Sequence, residues 1–301
     1  MPGLGGGARG PRLLSEDLLR GLERLTLRTR AASGLSPIGE HPGRLRSSSA
    51  EFAESRAYTS GDDFRRIDWN VFARLDVLHV KLNEARETAG LSLLVDCSES
   101  MQFGAPSKAL VAGEIARGLA YIGLNQLDDV RVFGFGSRLM VSSPAYRGRG
   151  HSHEAFAFVD GLPVSADSDV AASLDAFVAQ SVNAGVVVVL SDLLSESDTP
   201  RALRRLVSLG FEVTVMHVLS AEEISPSLDG DLELVDSETG ERQAVSVSAS
   251  SLDAYRSDFA LWRQRIMAEC ARLGVRYVPV ENDQPLHQLF LVRFRQHGLV
   301  D

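Results

Sequence analysis

From residue 91 onward, short apolar runs alternate with longer segments of helical spacing, and this alternation limits the possible folds more than any other feature. Residues 186–190 are five consecutive apolar residues, which is typical of a strand covered on both faces. Further strands are predicted at residues 91–95, 129–135, 211–219 and 275–280. Helices are predicted at residues 107–125, 154–160, 170–182, 199–209, 252–273 and 286–296. Strands that alternate with helices predict a doubly wound, mostly parallel α/β sheet.

Two regions depart from this alternation. Two short β-prone runs around a Gly-containing turn predict a β-hairpin inserted around residues 229–250. Near the N-terminus, leucines at helical spacing predict an amphipathic helix over residues 13–32. We therefore expect a disordered tail at 1–12, a helix and polar region packed on the core over 13–88, and an α/β domain over 89–301.

Charge and composition exclude several classes of protein. The formal net charge is -9, which disfavours a global electrostatic grip on nucleic acid or on an anionic membrane. Two cysteines are too few for a disulfide framework or a Cys-rich zinc site. No apolar stretch is long enough to span a membrane, and the N-terminus lacks the apolar core of a signal peptide. We expect a cytoplasmic protein without membrane insertion.

Polar side chains follow two of the predicted strands, at the edge where sheets of this class bind ligands. Asp96, Ser98 and Ser100 come directly after the first strand, and Asp192 comes shortly after the five-residue apolar run. If the strands follow the common order 3-2-1-4-5-6, the first and fourth are neighbours and the two acids converge. The apolar run is the fourth strand only if another strand lies between residues 138 and 165.

The three polar residues after the first strand alternate along the chain, so their side chains can face one point. Carboxylate and hydroxyl oxygens suit a hard cation such as Mg²⁺ or Mn²⁺ better than they suit zinc. At most two carboxylates leave the ion partly unneutralised, which favours a carboxylate from a protein partner at an open position. The alternative is that Asp96 and Asp192 are acids that cap a turn or a helix.

The DCSES segment that begins at Asp96 resembles the D-x-S-x-S element of the metal-ion-dependent adhesion site in von Willebrand factor A domains. The resemblance implies a von Willebrand factor A-like fold in which Asp96, Ser98 and Ser100 are ligands of Mg²⁺ or Mn²⁺. Asp192 matches the third-loop aspartate of that site. Ser168 stands where the second loop of the family has threonine, and the resemblance implies that its hydroxyl is also a ligand.

A second family resemblance covers about residues 36–295, and its most specific part lies upstream of Asp96. It rests on Glu51, Phe52, Arg56, Tyr58, Gly61, Asp62, Asp63, Arg65, Ile67, Asp68 and Trp69. Together these residues resemble the signature of the bacterial "domain of unknown function 58" family. Members of that family are commonly encoded beside MoxR-type AAA+ ATPases, so the resemblance implies such an ATPase as a partner.

The same polar segment permits a structural and a functional interpretation. Acids and bases around a tryptophan can form a hydrogen-bonded network that fixes a turn. They can also form a docking surface for a protein partner. The candidate partner-binding residues are Arg56, Tyr58, Asp62, Asp63, Arg65, Asp68 and Trp69.

Three functions remain open. The first is a metal-dependent protein–protein interaction module that acts with a MoxR-type ATPase on an unknown client, in the assembly or maturation of a complex. The second is a metal-dependent phosphoryl or ester hydrolase, which Ser98 disfavours because aspartyl phosphatases have a second acid at that position. The third is a scaffold with a degenerate metal site. Neither a phosphate-binding loop nor a nucleophile elbow occurs, so we expect a binding module and not an enzyme.

Overall fold

In the computed structural model, the described residues are 14–28, 54–59, 67, 72, 76–82, 90–126, 128–181, 184–195, 197–235 and 242–301. The chain divides into two compact units, one of Met1–Leu35 with Ala89–Asp301 and the other of Ser36–Thr88. In the smaller unit, strands β1 (Glu54–Ala57) and β2 (His79–Leu82) pair in antiparallel fashion.

The larger unit is built on a seven-stranded sheet. Its strands are β3 (Leu91–Asp96), β4 (Asp129–Phe135), β5 (Leu139–Ser142), β6 (Tyr146–Arg147), β7 (Val186–Ser191), β8 (Glu212–Leu219) and β11 (Arg276–Glu281). Strands β9 (Gly230–Val235) and β10 (Arg242–Val247) form a separate hairpin between β8 and β11. The order across the sheet is β11-β8-β7-β3-β4-β5, and β6 also pairs with β4. Strands β3, β4, β7, β8 and β11 are parallel, whereas β5 and β6 run antiparallel to β4.

This order confirms the predicted fold class. Strands β5 and β6 lie between residues 138 and 165, where the sequence left open whether a strand occurs. Counted without the two-residue β6, β7 is the fourth strand of the sheet, and it lies beside the first strand, β3. Leu94 is opposite Val189 in this parallel pair. The carboxyl ends of β3 and β7 therefore meet at one edge of the sheet.

Helices cover both faces of the sheet. They are α1 (Glu16–Leu22), α2 (Lys108–Asn125), α3 (Ser152–Asp160), α4 (Val170–Gln180), α5 (Thr199–Ser208), α6 (Ala221–Ile224), α7 (Ala249–Leu273), α8 (Leu286–Gln288) and, after a π-helical turn (Leu289–Arg293), α9 (Phe294–Gln296). Leu93 and Val95 belong to the core that contains α2, whereas Leu94 and Val189 belong to the core that contains α4 and α5. Because successive strand residues are buried on opposite faces, the strands read as unbroken apolar runs.

The N-terminal helix is much shorter than the prediction over residues 13–32. It begins after Ser15, whose hydroxyl accepts the Leu18 N–H at 3.3 Å, and it ends at Leu22. Leu27 is buried outside the helix, where it forms an antiparallel bridge with Val300. Burial of leucines in an extended segment reproduced the helical spacing, so the pattern over-predicted the helix.

The hairpin prediction is confirmed, because β9 and β10 pair in antiparallel register from Val247 opposite Gly230 to Arg242 opposite Val235. The long helix α7 begins earlier than predicted, since the Ser248 hydroxyl accepts the Ser251 N–H and caps its first turn. Among the helices of the described segments, none is both long and apolar enough to cross a bilayer.

Candidate functional site

Asp96 lies at the carboxyl end of β3, and its side chain is 1% exposed. Its Oδ1 accepts hydrogen bonds from the Ser98 N–H at 3.0 Å and the Ser98 hydroxyl at 2.7 Å. Its Oδ2 accepts the hydroxyls of Ser191 at 2.6 Å and Ser168 at 3.1 Å. The Ser100 hydroxyl lies 3.0 Å from that of Ser98. We call these five side chains the oxygen cluster.

Two loops and the end of a neighbouring strand contribute to the oxygen cluster. The loop after β3 supplies Ser98 and Ser100, and a parallel bridge joins Ser98 to Ser165 in the loop before α4. That bridge brings Ser168 over the carboxyl end of β3, within hydrogen-bonding distance of Asp96. The third contribution comes from the end of β7, the neighbouring strand of the sheet. The loops therefore converge where the strand order reverses, as expected for a ligand site in this class of sheet.

Asp192 follows β7 and is buried beside the oxygen cluster. Its Oδ1 accepts the Leu194 N–H at 3.1 Å, and its Oδ2 accepts the Lys108 ammonium at 2.7 Å. Lys108 has no exposed surface and also contacts the carboxylate of Glu223. Glu223 is held in turn by the Ser220 N–H at 2.8 Å. One buried ammonium therefore bridges two carboxylates from different parts of the chain.

Electrostatics distinguish the two acids. Burial raises the pKa of Asp96, and the charge of Asp192 raises it further, while hydrogen bonds from Ser191 and Ser98 lower it. Asp192 is paired with Lys108, but no described lysine or arginine forms an ion pair with Asp96. An ionised carboxylate in this position is costly without a nearby positive charge. A cation among the oxygens would supply that charge.

The donor set fits a small hard cation. It offers a carboxylate and several hydroxyls, and each hydroxyl can turn its proton away and present a lone pair. Within the described residues, no group of three or more His, Cys, Asp or Glu side chains is arranged to hold a metal. An ion bound here would therefore depend on serine oxygens and water. Both oxygens of Asp192 already accept hydrogen bonds, which suits contact with the ion through a water molecule.

All five predicted metal-site residues lie at this one edge of the sheet. Asp96, Ser98, Ser100 and Ser168 are joined by direct hydrogen bonds. Asp192 is adjacent in sequence to Ser191, whose hydroxyl contacts Asp96. The oxygens of these residues are therefore close enough together to contribute to one site.

The alternative role of Asp96 and Asp192, as acids that cap a turn or a helix, differs between the two residues. Asp192 does not cap the following helix, because Asp198 accepts the Arg201 N–H of α5 at 3.1 Å. Asp96 does accept a turn N–H, that of Ser98. The turn interaction occupies only one of its oxygens, so it does not account for the hydroxyls gathered at the other.

Sequence reasoning missed three residues of this region: Ser191, Lys108 and Glu223. Ser191 has a detectable signal, since it directly precedes Asp192 at a strand end. Lys108 offers none, because it is an ordinary residue after the N-cap Ser107 and its partners lie 84 and 115 residues away. His217 of β8 is also packed against this region: its Nε2 lies 2.8 Å from the Asp192 carbonyl oxygen, and burial lowers its pKa to about 4.

The candidate partner-binding residues lie in the smaller unit. Arg56 is in β1, where its backbone is opposite Val80 of β2. Tyr58 follows β1, is half-buried, and its N–H donates to the Leu78 carbonyl at 2.8 Å. The remaining candidates, Asp62, Asp63, Arg65, Asp68 and Trp69, lie outside the described residues.

Comparisons with known proteins agree with the upstream signature. The family model described as "Protein of unknown function DUF58" matches residues 54–266. The chain is 31% identical over 242 residues to "Uncharacterized protein Rv1480" of Mycobacterium tuberculosis, covering 78% of this chain and 74% of that protein. It is similar to the structure of the conserved hypothetical protein BatB from Bacteroides thetaiotaomicron, with a TM-score of 0.43, 14% identity and coverage of 70% of this chain and 98% of that one. It is also similar to the SpRpn10 VWA domain, with a TM-score of 0.36, 15% identity and coverage of 66% and 91%.

Proposed function

This chain belongs to the family described as "Protein of unknown function DUF58", and we propose that it is a protein-interaction module whose binding depends on a divalent cation. Asp96, Ser98, Ser100 and Ser168 would hold Mg²⁺ or Mn²⁺, with Asp192 as the outer carboxylate. When bound, the ion supplies an open coordination position for a carboxylate of a protein partner.

The setting of Asp96 is the observation that supports this proposal most strongly. Its carboxyl group is almost completely buried, its described neighbours are hydroxyls and a backbone N–H, and no described lysine or arginine forms an ion pair with it. Such a group is unfavourable for folding unless something compensates its charge. The hydroxyls of Ser98 and Ser168 lie within hydrogen-bonding distance of its two oxygens, which supports the proposal that they share a cation with it.

The second part of the proposal is a MoxR-type AAA+ ATPase as a partner, in the assembly or maturation of a protein complex. Its support is the family resemblance of residues 51–69. The absence of a phosphate-binding loop from the sequence agrees with an energy source outside this chain. A hydrolase has less support, because the position of the second acid in aspartyl phosphatases is occupied by Ser98.

Thermal unfolding with and without MgCl₂ tests the cation. At a hundredfold excess over the dissociation constant, a bound ion stabilises the folded chain by about 2.7 kcal/mol. We expect this gain in the wild type and its loss in Asp96→Asn. Asp128→Asn is the matched control, since it makes the same change at a half-buried acid outside the oxygen cluster. Equal stabilisation of wild type and Asp96→Asn, or none in either, would contradict the proposed cation site.

Co-elution with a purified MoxR-type ATPase tests the partnership. Comparing the wild type with Asp96→Asn avoids chelators, which also strip Mg²⁺ from the ATPase. We expect a complex with the wild type and a weakened complex with Asp96→Asn. A complex that forms equally well with both chains would contradict the cation-dependent contact, and no complex with either would contradict the partnership.

A further inference from the structure

Each of the three loops that form the candidate site also exposes a large apolar side chain. Phe103 in the first loop is 52% exposed, Val164 in the second is 57% exposed, and Leu194 in the third is 47% exposed. Their chain neighbours Met101 and Leu193 are buried, so the same loops do have access to the core. We call Phe103, Val164 and Leu194 the apolar rim.

Backbone hydrogen bonds fix the apolar rim beside the oxygen cluster. The Phe103 N–H donates to the Ser100 carbonyl at 3.2 Å, and the Leu194 N–H donates to Asp192 Oδ1 at 3.1 Å. Val164 directly precedes Ser165, whose N–H donates to the Cys97 carbonyl at 2.7 Å. These bonds hold the main chain of the rim residues next to the site. The exposed apolar side chains therefore start from backbone positions that are tied to the candidate site.

The charges of the same loops have one sign. Residues 97–107, 161–169 and 192–198 contain no lysine or arginine. Their described acids include Glu99, Asp167 and Asp198, all exposed. A partner with many carboxylates would be repelled by these acids, whereas lysine or arginine side chains would be attracted. One carboxylate can still be accommodated, at the cation itself.

We propose, on the basis of the proposed cation-dependent function, that this surface binds a peptide segment with one Asp or Glu flanked by large apolar residues and, further out, by lysine or arginine. The carboxylate completes the coordination of the ion, the apolar side chains cover the rim, and the basic side chains face the exposed acids. Burial of a large apolar side chain is worth about 1.5–3 kcal/mol, which corresponds to at least about tenfold in affinity.

Four short synthetic peptides test this chemistry. The first has a central Asp with leucine neighbours and outer lysines. In the others, serines replace the leucines, glutamates replace the lysines, or Asn replaces the central Asp. We expect the first to bind the Mg²⁺-loaded wild-type chain at least about tenfold more tightly than each of the others. Equal binding of the leucine and serine peptides, or no binding of the first, would overturn the inference.

Variants of the rim separate this inference from the proposed cation site. We expect Phe103→Ser with Leu194→Ser to abolish the preference for leucine over serine peptides and to retain stabilisation by MgCl₂. Met267→Ser, an equally exposed apolar position on α7 (50% exposed), is the control that keeps the preference. A preference that survives in the rim variant would overturn the inference and leave the cation site standing. If MgCl₂ does not stabilise the wild-type chain, the cation site itself is refuted.

Discussion

Replacing Lys108 with methionine tests the role of the buried ammonium. Methionine keeps most of the side chain's length and apolar volume but removes its charge. The variant leaves two carboxylates without their counter-ion: Asp192, which is 1% exposed, and Glu223, which is 13% exposed. Removal of one partner from a buried ion pair costs about 3–5 kcal/mol, because an uncompensated charge stays behind. That is a large fraction of the roughly 5–15 kcal/mol by which a folded domain is stable.

Urea unfolding near neutral pH measures this loss. We expect Lys108→Met to lower the free energy of unfolding by about 3–5 kcal/mol. The double variant Lys108→Met with Glu223→Gln removes one of the two stranded charges, so we expect it to recover at least about 1 kcal/mol of that loss. A loss below about 1 kcal/mol, or a double variant no more stable than the single one, would refute the assignment of Lys108 as the buried counter-ion.

The same variant has an opposite effect on the cation. In the wild type, the ammonium neutralises part of the charge of Asp192. Without it, more negative charge faces the oxygen cluster, so we expect a lower MgCl₂ concentration to give half-maximal stabilisation. Unchanged or weaker stabilisation by MgCl₂ in a folded Lys108→Met chain would show that Asp192 is not electrostatically coupled to the ion.

Two further substitutions, Asp128→Asn and Gly136→Ala, are expected to change the free energy of unfolding in opposite directions. Burial, helped by the charge of Asp129, raises the pKa of Asp128 to about 6, so this carboxyl lowers the stability of the folded state as pH rises from about 4, where it ionises in the unfolded chain, to about 6. Because the side chain is only half-buried, we expect Asp128→Asn to raise the free energy of unfolding by only about 1 kcal/mol at pH 8 and to leave it unchanged below about pH 4. An equal gain at both pH values would show that the raised pKa of Asp128 is not the cause of the gain. In Gly136→Ala, the new Cβ would lie 2.2 Å from the Cβ of Ser165, so we expect a loss of about 1–3 kcal/mol in urea and weaker stabilisation by MgCl₂. Gly150→Ala is its control, since a Cβ there meets nothing within 4 Å, and equal stability of the two variants would refute the close approach of the second loop.

The sheet could be predicted because burial on both faces leaves a strong trace in sequence. Val186–Ser191 is buried at every position, and the unbroken apolar run over residues 186–190 reflects this burial. Leucine spacing near the N-terminus was less informative, because a helix face and a buried extended segment can give the same pattern. The pairing of Leu27 with Val300, distant in sequence, is what identifies the segment around Leu27 as extended.

The candidate site could be predicted in part for a similar reason. Parallel strands end at one edge of a sheet, so polar residues after β3 and β7 had to be neighbours once the strand order was known. Lys108 could not be predicted, because its role depends on a tertiary contact with Glu223, in a helix of only four residues. Local spacing carries no trace of such a contact.

Anomalous diffraction from crystals grown with MnCl₂ tests the proposed cation most directly. We expect one strong anomalous peak at the carboxyl end of β3, among the side-chain oxygens of Asp96, Ser98 and Ser100, and its loss in Asp96→Asn. A well-ordered oxygen cluster without a peak at saturating Mn²⁺ would contradict the account, as would a peak that persists in Asp96→Asn.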